Sequence, residues 1–230
     1  MCGIIGISCQ DGELTSMLMK EFLLQSQIRG KHATGIAYLD KGKVKSISEP
    51  IPSSEFIKRD FPESSLMIGH TRYSTSDIRF NQPIATQEIA LVHNGVITQE
   101  AFDNWSEHFK YSNFSTENDT ELLLKCVEDF DNPFLKFINA SIACGILSRH
   151  ELICVRNNTR PLWLFFNEHF CGFASTEDII KRSTENLGIE VEVQKTEPFK
   201  EYHFTEVGRG VWDKKVKHNQ TMLFSEDQQS

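Results

Sequence analysis

Hydrophobic and polar positions along this chain switch between two periods, and the switches mark its elements. Gly-Ile-Ile-Gly-Ile-Ser at 3–8 is a short apolar run suited to a buried strand. Between 13 and 28, Leu14, Met17, Leu18, Phe22 and Ile28 fall close to helical spacing and predict an amphipathic helix. Two apolar-bearing runs, 35–40 and 44–49, flank Lys41-Gly42, a hairpin turn signal. Pro50, Pro52 and Pro62 bracket a loop region with room for one short helix at most. Residues 66–75 and 88–98 read as strands running into polar, glycine-bearing ends. Residues 99–109 and 119–130 read as helices, with Ser115 and Thr116 as N-cap positions for the second.

The last third changes character. Runs near 141–149, 151–157, 161–167 and 169–176 predict closely spaced strands, with tight turns at His150 and Asn167-Glu168. Residues 177–188 read as a helix closed by Gly188; 189–195 and 201–207 alternate as strands, and the polar tail after Trp212 is expected to be loose. Groups of strands between groups of helices imply an α+β fold with mainly antiparallel sheets, not regular βαβ alternation. No repeat, linker or low-complexity block divides the 230 residues, so a single domain over 1–230 is expected.

Composition narrows the chemistry. With 24 Lys+Arg against 32 Asp+Glu, the formal charge of −8 argues against binding to a phosphate backbone, so no nucleic-acid partner is expected. No apolar run approaches the roughly 18 residues of a membrane span, and the N-terminus lacks the basic region of a signal peptide. A cytoplasmic protein without membrane partners is the expectation. The six cysteines show no CxxC spacing, which favours buried thiols over bridges and leaves metal sites without paired ligands. No glycine-rich phosphate loop is present, and no cofactor is expected.

Cys2 stands apart by position. Removal of the initiator Met, expected before so small a residue, would leave a thiol and an α-amine on one residue. The amine's reference pKa, about 7.7–8.0, suits it to act as a base beside the nucleophile. Further polar clusters interrupt the apolar framework: Arg29-Gly-Lys-His-Ala-Thr-Gly35, Gly69-His-Thr-Arg-Tyr-Ser-Thr75, His93-Asn-Gly95 and Asn118-Asp-Thr-Glu121. Singly, each has a structural reading. Arg29-Gly30 fits a helix C-cap, Asn94-Gly95 a turn, and Asp119 and its neighbours a helix start.

In combination these clusters resemble the class II glutamine amidotransferase domain. This is the N-terminal-nucleophile glutaminase of glucosamine-6-phosphate synthase, amidophosphoribosyltransferase and glutamate synthase. The matching segments are Cys-Gly-Ile-Ile-Gly at 2–6, Arg29-Gly30 with Thr34-Gly35, Gly-His-Thr-Arg-Tyr-Ser-Thr at 69–75, Gln82-Pro83, His-Asn-Gly at 93–95 and Asp-Thr-Glu at 119–121. A weaker echo lies at 173–178, and the likeness spans residues 2 to about 207. It implies a four-layer αββα sandwich of two antiparallel sheets, with Cys2 at the end of a central strand. Cys2 is implied as the nucleophile on the side-chain amide of L-glutamine, with the Asn94 amide and the Gly95 N–H as oxyanion hole. Arg72 and Thr75 are implied to hold the substrate carboxylate and Asp119 its ammonium, while Arg29 orders the pocket; His70 and His93 are structural hydrogen-bonders. A polar tail from about 212 to 230 lies beyond the likeness.

The departures are Lys31-His32-Ala33 after Arg29-Gly30, Tyr73 where sugar-synthase relatives carry Trp, and Ser76 where they carry His. The expected partner is an ammonia-accepting synthetase or transferase, because the chain has no room for one beside the glutaminase unit. A γ-glutamyl amidohydrolase on the same scaffold, or a non-catalytic regulatory domain, remains open on these motifs.

Overall fold

The computed structural model describes residues 1–74, 79–205 and 213–218. In chain order the first half holds β1 (Gly3–Cys9), α1 (Gly12–Ser26), the hairpin β2 (Ala33–Asp40) and β3 (Lys43–Glu49), α2 (Ser53–Phe56), β4 (Leu66–Arg72), β5 (Ile84–Ala85) and β6 (Ile89–His93). A 3-10 turn at Phe102–Asn104 leads through α3 (Trp105–Phe109), α4 (Thr120–Glu128) and α5 (Pro133–Lys136). The strands β7 (Ala143–Ser148), β8 (Glu151–Arg156), β9 (Trp163–Phe166) and β10 (Phe170–Ala174) follow. Then come α6 (Glu177–Leu187), β11 (Glu192–Lys195), β12 (Lys200–Thr205) and β13 (Asp213–His218).

The strands form two antiparallel sheets. One has seven strands in the order β11-β9-β10-β1-β4-β2-β3, and the other has six in the order β13-β12-β8-β7-β6-β5. Three apolar clusters give the layer order. Ile4, Ile68, Val92, Leu147, Phe173 and Tyr202 belong to the core between the sheets. Leu18, Phe22, Ile36, Phe165 and Ile179 pack α1 and α6 onto the outer face of the seven-stranded sheet. Leu91, Trp105, Leu123, Cys144 and Val155 pack the short helices onto the other. Helix, sheet, sheet, helix is the αββα arrangement that the motifs imply.

Phe173 shows how closely the sheets meet. A Cβ added at Gly6 would lie 2.1 Å from its ring, and one at Gly145 on the opposite sheet 2.2 Å. Missing side chains on both sheets make room for one fully buried aromatic, whose removal from such a core typically costs about 3–5 kcal/mol.

Local signals account for most element ends. Asp11 caps α1 by accepting from the N–H groups of Glu13 and Leu14, and Gly188 closes α6 at φ 66°. The Lys41-Gly42 turn has both residues at positive φ, 49° and 74°, as a tight hairpin turn requires.

Four expectations are corrected. Ser115 and Thr116 do not cap α4: its N-cap is Asp119, and the Ser115 and Thr116 N–H groups donate instead to the buried Glu121 carboxylate. The strand beginning near 88 ends at His93; beyond it Asn94 bonds Ala143 at the start of β7 and Val96 bonds Ser141 just before it. The 99–109 helix shortens to the 3-10 turn and five-residue α3. After Trp212 the chain is not uniformly loose, since Asp213–His218 pairs along β12. Among the described residues no helix is long and apolar enough to cross a membrane.

Candidate active site at the seam of the two sheets

Cys2 immediately precedes β1. In the β1–β4 register Gly3 lies opposite Thr71, so the next step places Cys2 beside Arg72 at the end of β4. On the other side of β4, Ala33 lies opposite Arg72, which brings the Arg29–Ala33 loop to the same edge. The segments that were separate in the sequence therefore share one end of the seven-stranded sheet because its strands are antiparallel.

Hydrogen bonds fix this edge. Arg29 Nε donates to the Cys2 carbonyl at 2.7 Å, and the Cys2 thiol lies 3.9 Å from the Tyr73 carbonyl. Burial holds the Arg29 guanidinium below its usual pKa, and the charge of Arg160 adds to that, against the pull of Cys2. An arginine remains charged across such shifts. Arg72 Nη1 donates to the Phe80 carbonyl and, at 2.8 Å, to Asn81 Oδ1. Asn118 Nδ2 reaches the same Phe80 carbonyl at 3.0 Å, so Arg72 and the start of α4 are tied through one acceptor.

The departures Lys31-His32-Ala33 and Tyr73 prove to be one feature. The His32 ring stacks on Tyr73 with centroids 5.1 Å apart, and its Nδ1 accepts from the Ser74 N–H at 2.9 Å. The imidazole thus braces the stretch whose carbonyl faces the Cys2 thiol. Neither identity alone signals that pairing.

The six-stranded sheet supplies the facing wall. Asn94 pairs its backbone with Ala143, and Val96 pairs with Ser141. Gly95 between them lies so close to this segment that an added Cβ would sit 1.7 Å from the Ser141 carbonyl oxygen. Only glycine fits there. The Asn94 side chain is buried, and its Nδ2 has no hydrogen-bond partner. An orphaned buried amide donor typically costs about 1–3 kcal/mol, which marks this atom as one awaiting an acceptor. Asp119 Oδ2 accepts from the Ile97 N–H at 2.7 Å, a bond that joins the start of α4 to the Asn94–Ile97 stretch.

Both histidines are buried, and His70 Nε2 has no hydrogen-bond partner. His93 Nε2 lies 3.0 Å from the Ser141 carbonyl, an acceptor, so this nitrogen donates. Burial pushes the pKa of His93 down, opposed by Asp119. Burial, then the charges of Arg72 and His93, push His70 down to about 3. Such an imidazole is neutral near pH 7 and keeps a single ring N–H.

Of the site residues named from the sequence, Cys2, Arg29 and Arg72 gather at one sheet edge, and Asn94, Gly95 and Asp119 gather along the other. Thr75 lies outside the described residues. All six cysteines are free; Cys2 is half-buried and the others are buried. Burial raises the thiol pKa of Cys126 to about 11 and of Cys144 to about 12, which leaves both inert. Arg160 and Ser141 went unnoticed in the sequence. Arg160 Nε and Nη2 each reach Ser141 Oγ at 3.3 Å. Its only sequence signal is an arginine in turn-forming Asn-Asn-Thr-Arg-Pro text.

A family model described as glutamine amidotransferase domain matches residues 58–228. The chain is 31% identical over 182 residues to a glutamine–fructose-6-phosphate aminotransferase (isomerizing) of Caldanaerobacter subterraneus, covering 70% of this chain and 29% of that protein. The same enzyme of Staphylococcus aureus is 28% identical over 202 residues, with 76% and 32% covered. The chain thus spans about a third of the curated relatives it matches. Among solved structures, the glutamine phosphoribosylpyrophosphate amidotransferase from B. subtilis superposes with a TM-score of 0.71 at 20% identity, over 94% of this chain and 49% of that one. A class-II glutamine aminotransferase domain protein from Silicibacter pomeroyi gives 0.56 at 10% identity, over 94% and 99%.

Proposed function

Because the chain belongs to the glutamine amidotransferase domain family, we propose that it hydrolyses the side-chain amide of L-glutamine through a Cys2 γ-glutamyl thioester and passes the ammonia to an acceptor. The observation that carries the reading is the buried, unpartnered Asn94 amide beside Gly95, directly after His93, which acts on His70 of the strand that ends beside Cys2.

Met1 is exposed, and Arg29 Nη2 approaches its sulfur to 3.9 Å. Its removal frees the Cys2 α-amine. That amine takes the thiol proton as Sγ attacks the amide carbon, and the oxyanion is held by Asn94 Nδ2 and the Gly95 N–H. Collapse breaks the C–N bond, and the same proton goes to the departing nitrogen, giving ammonia and the thioester. Water then attacks the thioester under the same base, glutamate leaves, and the proton returns to the thiolate. Arg72 binds the substrate carboxylate and Asp119 its ammonium, with Thr75 contributing beside Arg72. Arg29 positions Cys2 through the carbonyl bond. No metal or cofactor enters these steps. The acceptor is a synthetase or transferase, by the chemistry of the relatives that carry this domain.

The test is release of glutamate and ammonia from L-glutamine by protein whose intact mass lacks Met1. Cys2→Ala should lower turnover by about 10⁴-fold or more while the circular dichroism spectrum and melting temperature hold. Turnover by Cys2→Ala at the parent rate would contradict the mechanism. Marked preference for γ-glutamyl amines over glutamine would replace the substrate.

A further inference from the structure

We infer that Arg160 is a positioning residue for the oxyanion loop, acting through Ser141 on the backbone of Asn94, Gly95 and Val96. This rests on the proposed glutaminase reading of the site.

Ser141 is the block on which that loop is built. Its carbonyl accepts from the Val96 N–H at 3.1 Å and from His93 Nε2 at 3.0 Å. Its N–H donates to the Val96 carbonyl at 2.9 Å, and its Oγ accepts from the Val96 N–H at 2.9 Å. Gly95 rests against the same carbonyl. A shift of Ser141 therefore moves the residues that flank the oxyanion donors on both sides.

Arg160 brings two guanidinium donors to the same Ser141 Oγ that accepts from Val96, a geometry that a lysine's single ammonium does not reproduce. The turn that presents it is tightly held. Asn157 Oδ1 accepts from the N–H groups of Ile142 and Thr159, and its Nδ2 donates to the Ala140 carbonyl at 2.8 Å. The buried Arg156 donates to the carbonyls of Asn157 and Arg160 at 3.0 and 3.4 Å, and its Nε meets Thr196 Oγ1 at 2.8 Å. These bonds make the turn a fixed support, and Asn157 additionally bonds both neighbours of Ser141. Among the described residues no carboxylate forms an ion pair with Arg160. Its charge reaches His93 and Arg29, the neighbours of Asn94 and Cys2 in the site.

The test is a double-mutant cycle on the processed full chain with Arg160→Ala, Ser141→Ala and both together, read in two ways. Steady-state glutamine hydrolysis gives kcat and KM. Inactivation by 6-diazo-5-oxo-L-norleucine, a glutamine-analogue electrophile, is compared with alkylation of Cys2 by iodoacetamide, which needs the thiol but not the oxyanion loop. Arg160→Ala should lower kcat about 10- to 100-fold with KM within about threefold, since small misplacements of catalytic groups cost this much. Inactivation by the analogue should slow by the same factor, with iodoacetamide alkylation unchanged. The double variant should match the more impaired single one, because both act through one contact. Arg160→Lys should recover only part of kcat.

Unchanged kcat, an effect confined to KM, or additive losses in the cycle would overturn the assignment. So would parallel slowing of iodoacetamide, which signals general disruption around Cys2. If Arg160→Ala does not fold, Arg160→Lys takes its place in the cycle, and a wild-type kcat for it then overturns the proposal. A parent protein that neither hydrolyses glutamine nor reacts with the analogue sinks the glutaminase reading itself; an active parent with an unaffected Arg160→Ala sinks only this inference.

Discussion

The two sheets bring different chemistry to their common edge and are held by different means. The seven-stranded sheet contributes Cys2, Arg29 and Arg72, and its outer face is covered by the 15-residue α1 and 11-residue α6. The six-stranded sheet leads out of β6 into Asn94 and Gly95, Asp119 joins them from the start of α4, and the sheet's outer face is covered by helices of five, nine and four residues. Where long helices bury Leu18, Phe22 and Ile179, hydrocarbon packing holds the strand ends in place. Where the helices are short, polar contacts join the packing: Asp119 to Ile97, Ser141 to Val96, and Arg160 to Ser141. The lesson is that both ends are pinned by hydrogen bonds, the Cys2 end in front of long packed helices and the Asn94 end in front of short ones, where a chain of polar contacts is added to the packing.

Substitutions can separate these two kinds of support. The largest stability effect is expected at Phe173, which both sheets enclose. Phe173→Ala should destabilise the protein by about 3–5 kcal/mol in chemical denaturation, and an unchanged midpoint would refute the shared core. Asn94→Ala should spare stability, or raise it slightly by removing an orphaned donor, while lowering kcat for glutamine about 10²- to 10³-fold. Comparable losses in kcat and in stability would erase the distinction between the sheets. Asp119→Asn should act mainly on substrate capture, lowering kcat/KM about 10- to 100-fold for glutamine. A γ-glutamyl substrate lacking the α-amine should show little of that loss.

pH dependence separates two histidines with opposite sign, His70 in the seven-stranded sheet and His203 in the six-stranded one. His70, on β4, has its pKa pushed from 6.5 down to about 3, so the unfolded chain binds more protons in that interval. Its contribution to stability is complete above about pH 6.5 and drains away as pH falls toward 3. His203, on β12, is raised by its hydrogen bond to Glu201, aided by Glu151. Its contribution is complete below about 6.5 and is lost as pH rises through the raised value. Melting temperatures of His70→Asn and His203→Asn across pH 4–8 check both signs: the first should flatten the acid limb, the second the slope near neutrality.

Much of this was legible in the sequence because its signals are local or chemically explicit. The helix at 12–26, the Lys41-Gly42 hairpin and the Gly188 helix end follow from spacing and turn chemistry within a few residues. The Cys2, Arg72, Asn94 and Asp119 clusters were visible because each joins reactive or charged groups to neighbouring glycines or threonines. What escaped depends on tertiary placement. Strand periodicity does not say that β8 and β9, adjacent in sequence, belong to different sheets. Ser115 and Thr116 have the residue type of helix caps, but the buried Glu121 carboxylate attracts their N–H groups, and the cap moves to Asp119. Arg160 reads as an ordinary turn residue until the fold sets it against Ser141. The His32–Tyr73 stack joins residues 41 positions apart (73 − 32), beyond any local pattern.

The central claim is covalent: Cys2 carries the γ-glutamyl group. Protein lacking Met1 is mixed with L-glutamine, quenched in acid within the first turnovers, digested and analysed by mass spectrometry. A γ-glutamyl adduct on the peptide that begins at Cys2, absent in Asn94→Ala under the same quench, is the predicted result. Sustained glutamine hydrolysis with no adduct at Cys2, or an adduct on another residue, would contradict the account.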